Sequence, residues 1–432
     1  MSYSSVIEYL YALQKHGIKL GLETMQSLLD RVGNPHRSLR VLHIGGTNGK
    51  GSTAAMVAAI LQHSGRRVGL YTSPHLIEFR ERIRVNGQMI AERHVEELIA
   101  RLRAGLKDNL EPTFFEMTTA LAFLYFAESE VDVAVLEVGL GGRFDATNVV
   151  ERPLASVITT IGLDHQEYLG ETEEAIACEK GGIIKPCVPI VIGRIGQEAE
   201  YVLRRIARDR AAPLWQLGKD FDVDGQYPER FSYRGVTRVC ADLTCTLAGR
   251  HQWDNAACAL ALLEAASRAG IEIDAAAVRN GLRMVSWEGR LESIDEYPKV
   301  MLDGAHNPAA AHALAEYLKD FSSRNPTARI ILVWGMMQDK DRRGFIAPLL
   351  PVVSEIVLTQ AAIARSATVQ ELHATLQHWQ GPVHEAVLPM DALTAARRRA
   401  MPHDLICIAG SLMLLGDIKA ALRGCGLSPI RG

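Results

Sequence analysis

The sequence lacks most marks of a secreted, membrane-spanning or nucleic-acid-binding chain. Its seven cysteines are scattered at positions 178, 187, 240, 245, 258, 407 and 425. The number is odd and no CxxC pair occurs, so no disulfide framework is expected. Met1-Ser2-Tyr3-Ser4-Ser5 has no basic stretch followed by an apolar one, which argues against a signal peptide. The apolar runs, such as Ile330 to Trp334, are far short of a membrane span. Charge of one sign is missing too: 47 Lys plus Arg against 50 Asp plus Glu leave a formal charge of −3. That balance offers no general field for nucleic acid or an anionic membrane. There is no repeat and no low-complexity tract. The expectation is a cytoplasmic, monomeric protein with reduced thiols and neither nucleic acid nor membrane as partner.

What is present is a globular composition, 48% hydrophobic and 22% charged, spread over 432 residues, too many for one ordinary core. From about residue 40, apolar runs alternate with helical stretches. Val41 to Ile44, Val68 to Thr72, Val131 to Val138, Ala155 to Ile161 and Val188 to Ile192 read as strands. Ser52 to His63, Glu116 to Ala127, Thr172 to Lys180 and Asn255 to Ala269 read as helices. Alternation of this kind implies a doubly wound parallel sheet. Between Phe221 and Leu247 the rhythm shortens, which predicts a small accessory sheet. After a linker near Ser286 to Arg290 the α/β rhythm restarts, with strands expected at Val300 to Leu302, Ile330 to Val333, Ile356 to Leu358 and Leu405 to Ile408. The fold class is therefore α/β, with a doubly wound first domain over 1–287 and a Rossmann-like second domain over 288–432.

Gly45-Gly46-Thr47-Asn48-Gly49-Lys50-Gly51-Ser52 lies between a strand and a helix. Glycines let backbone amides converge on phosphate oxygens, and Lys50 adds a full charge. The loop departs from the standard pattern, with Ile44 at the first glycine position and Ser52 one residue late, so a ligand-free turn is the alternative. Glu137, in Leu136-Glu137-Val138-Gly139, ends a buried strand where a nucleotide site needs a magnesium ligand; taken alone it reads as an acid emerging into solvent. A dinucleotide reading of Gly139 and Gly141 fails at Phe144, the third glycine position. Ser73 and His165 also follow strands. One parallel sheet would bring Lys50, Ser73, Glu137 and His165 to a single rim, suited to phosphoryl transfer around one or two hard cations. By itself Lys180 reads as a solvated helix-end lysine. In the second domain Asp303-Gly304-Ala305-His306-Asn307-Pro308 reads as a ligand-contacting turn, an Asx-turn capping a helix, or both.

These residues resemble one family, the folylpolyglutamate and dihydrofolate synthases of the Mur ligase superfamily. The matching pieces are Gly46 to Ser52, Thr72-Ser73-Pro74-His75-Leu76, Glu81-Arg82-Ile83-Arg84-Val85, Leu136 to Arg143, Leu163-Asp164-His165 with Leu169-Gly170, Glu179-Lys180 with Gly182-Ile183, and Asp303 to Pro308. The resemblance implies an ATP-dependent, ADP-forming ligase that joins L-glutamate to dihydropteroate and to folates through an acyl phosphate. It assigns ATP to Thr47, Asn48, Gly49, Lys50, Gly51, Ser52, Asn255, Arg290, Asp303 and His306. Magnesium falls to Ser73, Glu137, His165 and a carbamylated Lys180, and the catalytic roles to Lys50, Lys180 and His165. The pterin falls to Thr113, Phe115, Asp145 and Ala146, with the segment from Gly21-Leu22-Glu23 closing over it. Two positions depart from the family: Gly181 where alanine is usual, which predicts a loosened helix end after Lys180, and Leu412-Met413 where aromatics are common. A peptidoglycan-type Mur ligase and a nucleotide switch without ligase activity are the other readings. Thr72 to Leu76 and Thr113 to Glu116 favour folate over the first, and the second α/β domain argues against the second.

Overall fold

Val41–Gly45 is buried at all five positions, as a strand covered on both faces must be, and forms β1 at the middle of the first sheet. The computed structural model describes residues 2–17, 21–106 and 110–426. Seven strands join β1: β2 Val68–Tyr71, β3 Ile83–Val85, β4 Gln88–Met89, β5 Val133–Glu137, β6 Ala155–Ile158, β7 Ile190–Ile192 and β8 Leu214–Gln216. Their order is β4-β3-β2-β5-β1-β6-β7-β8. From β2 to β8 all pairs are parallel, while β3 and β4 add an antiparallel edge. β5 lies on one side of β1 and β6 on the other, so the crossovers diverge at the centre of the sheet, where open α/β sheets bind ligands.

The helix Lys50–His63 follows β1 and is buried nearly all round. Sheet covers one side of it and the helix Ala275–Met284 the other, where a Cβ on Gly281 would stand 2.5 Å from the Ile60 Cα. A three-stranded antiparallel sheet follows: β9 Asp222–Gln226, β10 Arg230–Arg234 and β11 Val239–Leu243, in the order β11-β10-β9.

By its contacts the chain divides into Met1–Thr246 with Gln252–Val285, and Leu247–His251 with Ser286–Gly432. The second unit holds β12 Glu292–Glu296, β13 Lys299–Leu302, β14 Ile330–Trp334, β15 Glu355–Leu358, β16 Val383–Glu385 and β17 Leu405–Ala409, ordered β12-β13-β17-β14-β15-β16. Only β12 pairs antiparallel. Its core is built from Met301, Leu332, Trp334, Ile356, Leu405 and Cys407 against Leu314, Leu318 and Phe345.

The α/β class and the accessory sheet match expectation. The sequence reading passed over β3, β4, β8, β12 and β16, which are two to five residues long and mostly at sheet edges, where one exposed face dilutes the apolar pattern. All seven cysteines are free thiols. Among the described residues no helix is long and apolar enough to cross a membrane.

Candidate functional site

The turn after β1 depends on glycine. Gly46 has φ +139°, and a Cβ there would stand 2.0 Å from the Thr159 Oγ1. Gly49 has φ +84°, and its Cβ would stand 2.3 Å from the Asn255 Oδ1. The segment after β6 holds the loop from the other side. Thr47 N donates to Thr160 O at 2.8 Å, Asn48 N to Thr160 Oγ1 at 2.9 Å, and the Thr159 hydroxyl to Asn48 O at 2.6 Å. Two amides of the loop are thus already committed. The helix starting at Lys50 has no capping side chain, so its first amides and dipole face outward for an anion. Asn255 lies against this turn and donates to Gln252 Oε1 at 2.9 Å, and Gln252 Nε2 donates to the Ser52 hydroxyl at 3.3 Å.

Two lysines converge on one carbonyl. Lys50 Nζ donates to Gly46 O and Thr47 O, both at 3.1 Å, and Lys180 Nζ donates to Gly46 O at 2.9 Å. Lys180 is 5% exposed, so the solvated helix-end alternative does not hold. Burial, followed by the Lys50 charge, lowers its pKa to about 7, and Asp164 and Asp145 partly oppose the shift. Gly181 does not loosen the helix end: it is helical, and a Cβ on it would press to 2.6 Å from the Ile206 Cδ1.

Glu137 ends β5 and is 4% exposed, which excludes an acid emerging into solvent. Its Oε2 accepts from Ser73 N at 3.1 Å. β2, β5, β1 and β6 are neighbours in that order, so Ser73, Glu137 and Lys50 follow adjacent strand ends. His165 comes seven residues past the end of β6, in the left-handed region at φ 51°, with its side chain 43% exposed and Nε2 3.9 Å from Asp164 Oδ1. Among the described residues no three His, Cys, Asp or Glu side chains converge on a metal position. The protein donors are few: a buried carboxylate and a hydroxyl, both hard oxygen donors, and an imidazole, an unusual magnesium ligand. The two oxygen donors fit magnesium, which is held by one or two carboxylates and completed by substrate phosphates and water.

The pterin candidates divide. Phe115 packs against the glycine run, where a Cβ on Gly139 would stand 2.4 Å from its Cζ, and its ring centroid is 6.0 Å from that of Tyr71. Thr113 caps the helix Phe114–Glu128 reciprocally with Glu116, which uses both its hydroxyl and its amide. Ala146 is buried. The Asp145 carboxylate is saturated from within: Oδ2 accepts from the Gly139 and Leu140 amides at 2.9 Å each, and Oδ1 from the Thr147 amide and hydroxyl. Burial pushes its pKa up, and those donors oppose the rise. Because Thr147 gives its proton to Asp145, His43 Nε2 must donate to Thr147 Oγ1, at 2.8 Å. Burial and the Lys185 charge lower the His43 pKa to about 3, so the ring is neutral. Asp145 thus shapes the loop after β5, and the sequence reading had no signal for its partners His43 and Thr147.

In the second unit Asp303 Oδ2 accepts from Leu291 N and Oδ1 from Ala305 N, both at 3.0 Å. His306 Nδ1 donates to Gly304 O at 2.8 Å, and Asn307 caps the helix Pro308–Arg324. Arg290 Nη1 lies where a Cβ on Gly304 would be, 2.1 Å away, with Leu412 beside it at 2.5 Å. His251 belongs to the same group and was missed: burial lowers its pKa, Asp303 opposes the shift and Arg290 adds to it.

The chain matches two family models: the Mur ligase middle domain over residues 44–263, and the Mur ligase glutamate ligase domain over 289–412. It is 37% identical to the dihydrofolate synthase/folylpolyglutamate synthase of Bacillus subtilis, covering 98% of this chain and 99% of that one. The chain belongs to the folylpolyglutamate synthase/dihydrofolate synthase family of Mur ligases. Among solved structures it is similar to Escherichia coli FolC in complex with DHPP and ADP (TM-score 0.90, 31% identity, 98% of each chain). It is also similar to the bifunctional Yersinia pestis synthase complexed with AMPPNP and a manganese ion (TM-score 0.88, 30% identity, 98% of each chain).

Proposed function

We propose that this member of the family is an ATP-dependent, ADP-forming ligase that adds L-glutamate to dihydropteroate and to the glutamate tail of folates. The observation that carries the reading is the match to a dihydrofolate synthase/folylpolyglutamate synthase over 98% of the chain, across both units. In this reading an oxygen of the substrate carboxylate attacks the γ-phosphorus of ATP and ADP leaves, giving an acyl phosphate. The amine of glutamate then attacks the acyl carbon, phosphate departs with the C–O bond electrons, and the proton lost from the amine passes to the phosphate or to water. A carboxylate and a triphosphate repel each other, and Lys50 with the helix N-terminus offsets that repulsion at the phosphate side. Thr47, Asn48, Gly49, Gly51, Ser52 and Asn255 shape the phosphate turn, and Arg290 and His306 would be further nucleotide contacts, with Asp303 keeping their own turn rigid.

Ser73, Glu137 and His165 would hold magnesium, which when bound neutralises phosphate charge and polarises the transferred group. Lys180 would join them as a carbamate. A neutral Nζ attacks carbon dioxide, the N–C bond forms and a proton is released, which exchanges a buried ammonium for an oxygen ligand. The low pKa of Lys180 supports this step, since only the unprotonated amine is a nucleophile. Thr113, Phe115, Asp145 and Ala146 would border the pterin, with Phe115 supplying the stacking face. The protein would act as a monomer, and a single mass matching 47.4 kDa in solution is expected.

A substrate panel tests the reading: dihydropteroate, tetrahydrofolate and a muramyl nucleotide, each with glutamate and ATP, followed by ADP release and product mass. Product from both pterins and none from the muramyl compound is expected. No product from either pterin ends the folate reading, and ADP release that ignores both substrates would indicate a nucleotide switch.

A further inference from the structure

Arg82 is the buried cation that the chemistry above leaves unused. It sits at the entry to β3, where Thr72 N donates to its carbonyl at 3.0 Å, and it is 3% exposed. Its Nε donates to His75 Nδ1 at 2.8 Å, and its guanidinium carbon stands 5.1 Å from the centre of the Phe114 ring. Among the described residues no carboxylate pairs with it, and its two terminal nitrogens have no hydrogen-bond partner. The adjacent acid cannot serve. Glu81 is turned back on its own loop, with its oxygens accepting from the amides of Leu76, Ile77 and Glu78 at 2.8, 2.9 and 2.8 Å. Glu137 acts on Arg82 through its field without reaching ion-pair distance.

A buried guanidinium with one neutral hydrogen-bond partner, one aromatic contact and no acid is costly as a structural device, because those contacts repay only part of its lost hydration. Its position says what would complete it. The strand order β3-β2-β5-β1 runs from Arg82 through Ser73 and Glu137 to the phosphate turn at Lys50. An acid about to be phosphorylated must lie beside the γ-phosphate, and a planar fork with two unused terminal nitrogens matches a carboxylate.

We propose that Arg82, oriented by His75, binds the reacting carboxylate of the pteroyl or folyl substrate. The inference rests on the ligase reading above and deepens it. Lys50 would hold the phosphate, and Arg82 would grip the acid from the opposite side.

The test compares dissociation constants of dihydropteroate and of 6-(anilinomethyl)-7,8-dihydropterin, the same molecule without its carboxyl group. The wild type is expected to prefer the acid by about 10- to 100-fold, the range for charge-assisted hydrogen bonds. Arg82→Met should bind both compounds alike, with KM for dihydropteroate raised by the same factor and ATP affinity within about twofold of wild type. Should Arg82→Met not fold, Arg82→Lys carries the same measurement: it keeps the charge, loses the fork, and should forfeit most of the preference. An undiminished preference in the variant overturns the assignment, as does a wild type indifferent to the carboxyl group. A wild type that binds neither compound removes the pterin reading itself, and the inference with it.

Discussion

At the carboxyl edge of the first sheet, two lysine amines share the Gly46 carbonyl and an arginine nearby has no acid partner. At the edge of the second, Asp303 spends both oxygens on the Leu291 and Ala305 amides, and His306 closes on Gly304. Both follow buried parallel strands and both are marked by glycine and acid in the sequence. One edge rests its cations on carbonyls and an imidazole rather than on acids, and the other settles its polar groups on its own backbone. Cations not tied to a carboxylate are what a site for a triphosphate and a carboxylate needs; a self-satisfied turn is what a rigid rim needs.

The largest effect should come from the charged edge. Lys180→Ala is expected to lower kcat by about 10²- to 10³-fold, the scale of losing one preorganised electrostatic group, with partial recovery in added acetate. Full activity without acetate would show that this lysine only packs the helix end. Next is the turn itself. Gly49→Ala forces an L-residue into φ +84° and its Cβ toward Asn255. The ATP KM should rise about tenfold, in line with the cost of such strain; an unchanged KM would detach the Asn255 contact from nucleotide binding.

At the self-satisfied edge the loss should fall on stability. Asp303→Ala leaves two buried amides without acceptors, at about 1–3 kcal/mol each, read as a lower urea midpoint. If Asp303→Ala reduced turnover while the midpoint stayed put, the contrast between the two edges would fail.

The smallest effect is a pH dependence centred on His43. Its pKa is about 3 in the folded chain against 6.5 unfolded, so as pH falls below 6.5 the unfolded chain binds the proton first and stability declines toward pH 3. His43→Gln should flatten the fall of unfolding free energy between pH 6.5 and 5 by up to about 1.4 kcal/mol per pH unit. Identical slopes would place a proton on His43 in the native state.

The strand–turn–helix rhythm made the main sheet legible, because strands buried on both faces must be continuously apolar. The short strands β3, β4 and β16 carry mixed polarity and were invisible for that reason. The phosphate turn, Ser73 and Glu137 could be found because each follows a strand, and strand polarity alone sends them to one rim. His43, Thr147 and His251 could not, since each acquires its role from partners dozens of residues away in the chain.

By itself the sequence determined the order of strands and helices, the positions that must be glycine and the family, since these depend on local periodicity, backbone freedom and motif. Only the tertiary structure decided which polar groups were already paired. Burial set the Lys180 amine near neutrality, left Arg82 without an acid and closed Asp145 onto its own loop. The reason is physical: a charge is tuned by the solvent it has lost and the charges it has met, and both are properties of packing rather than of chain order.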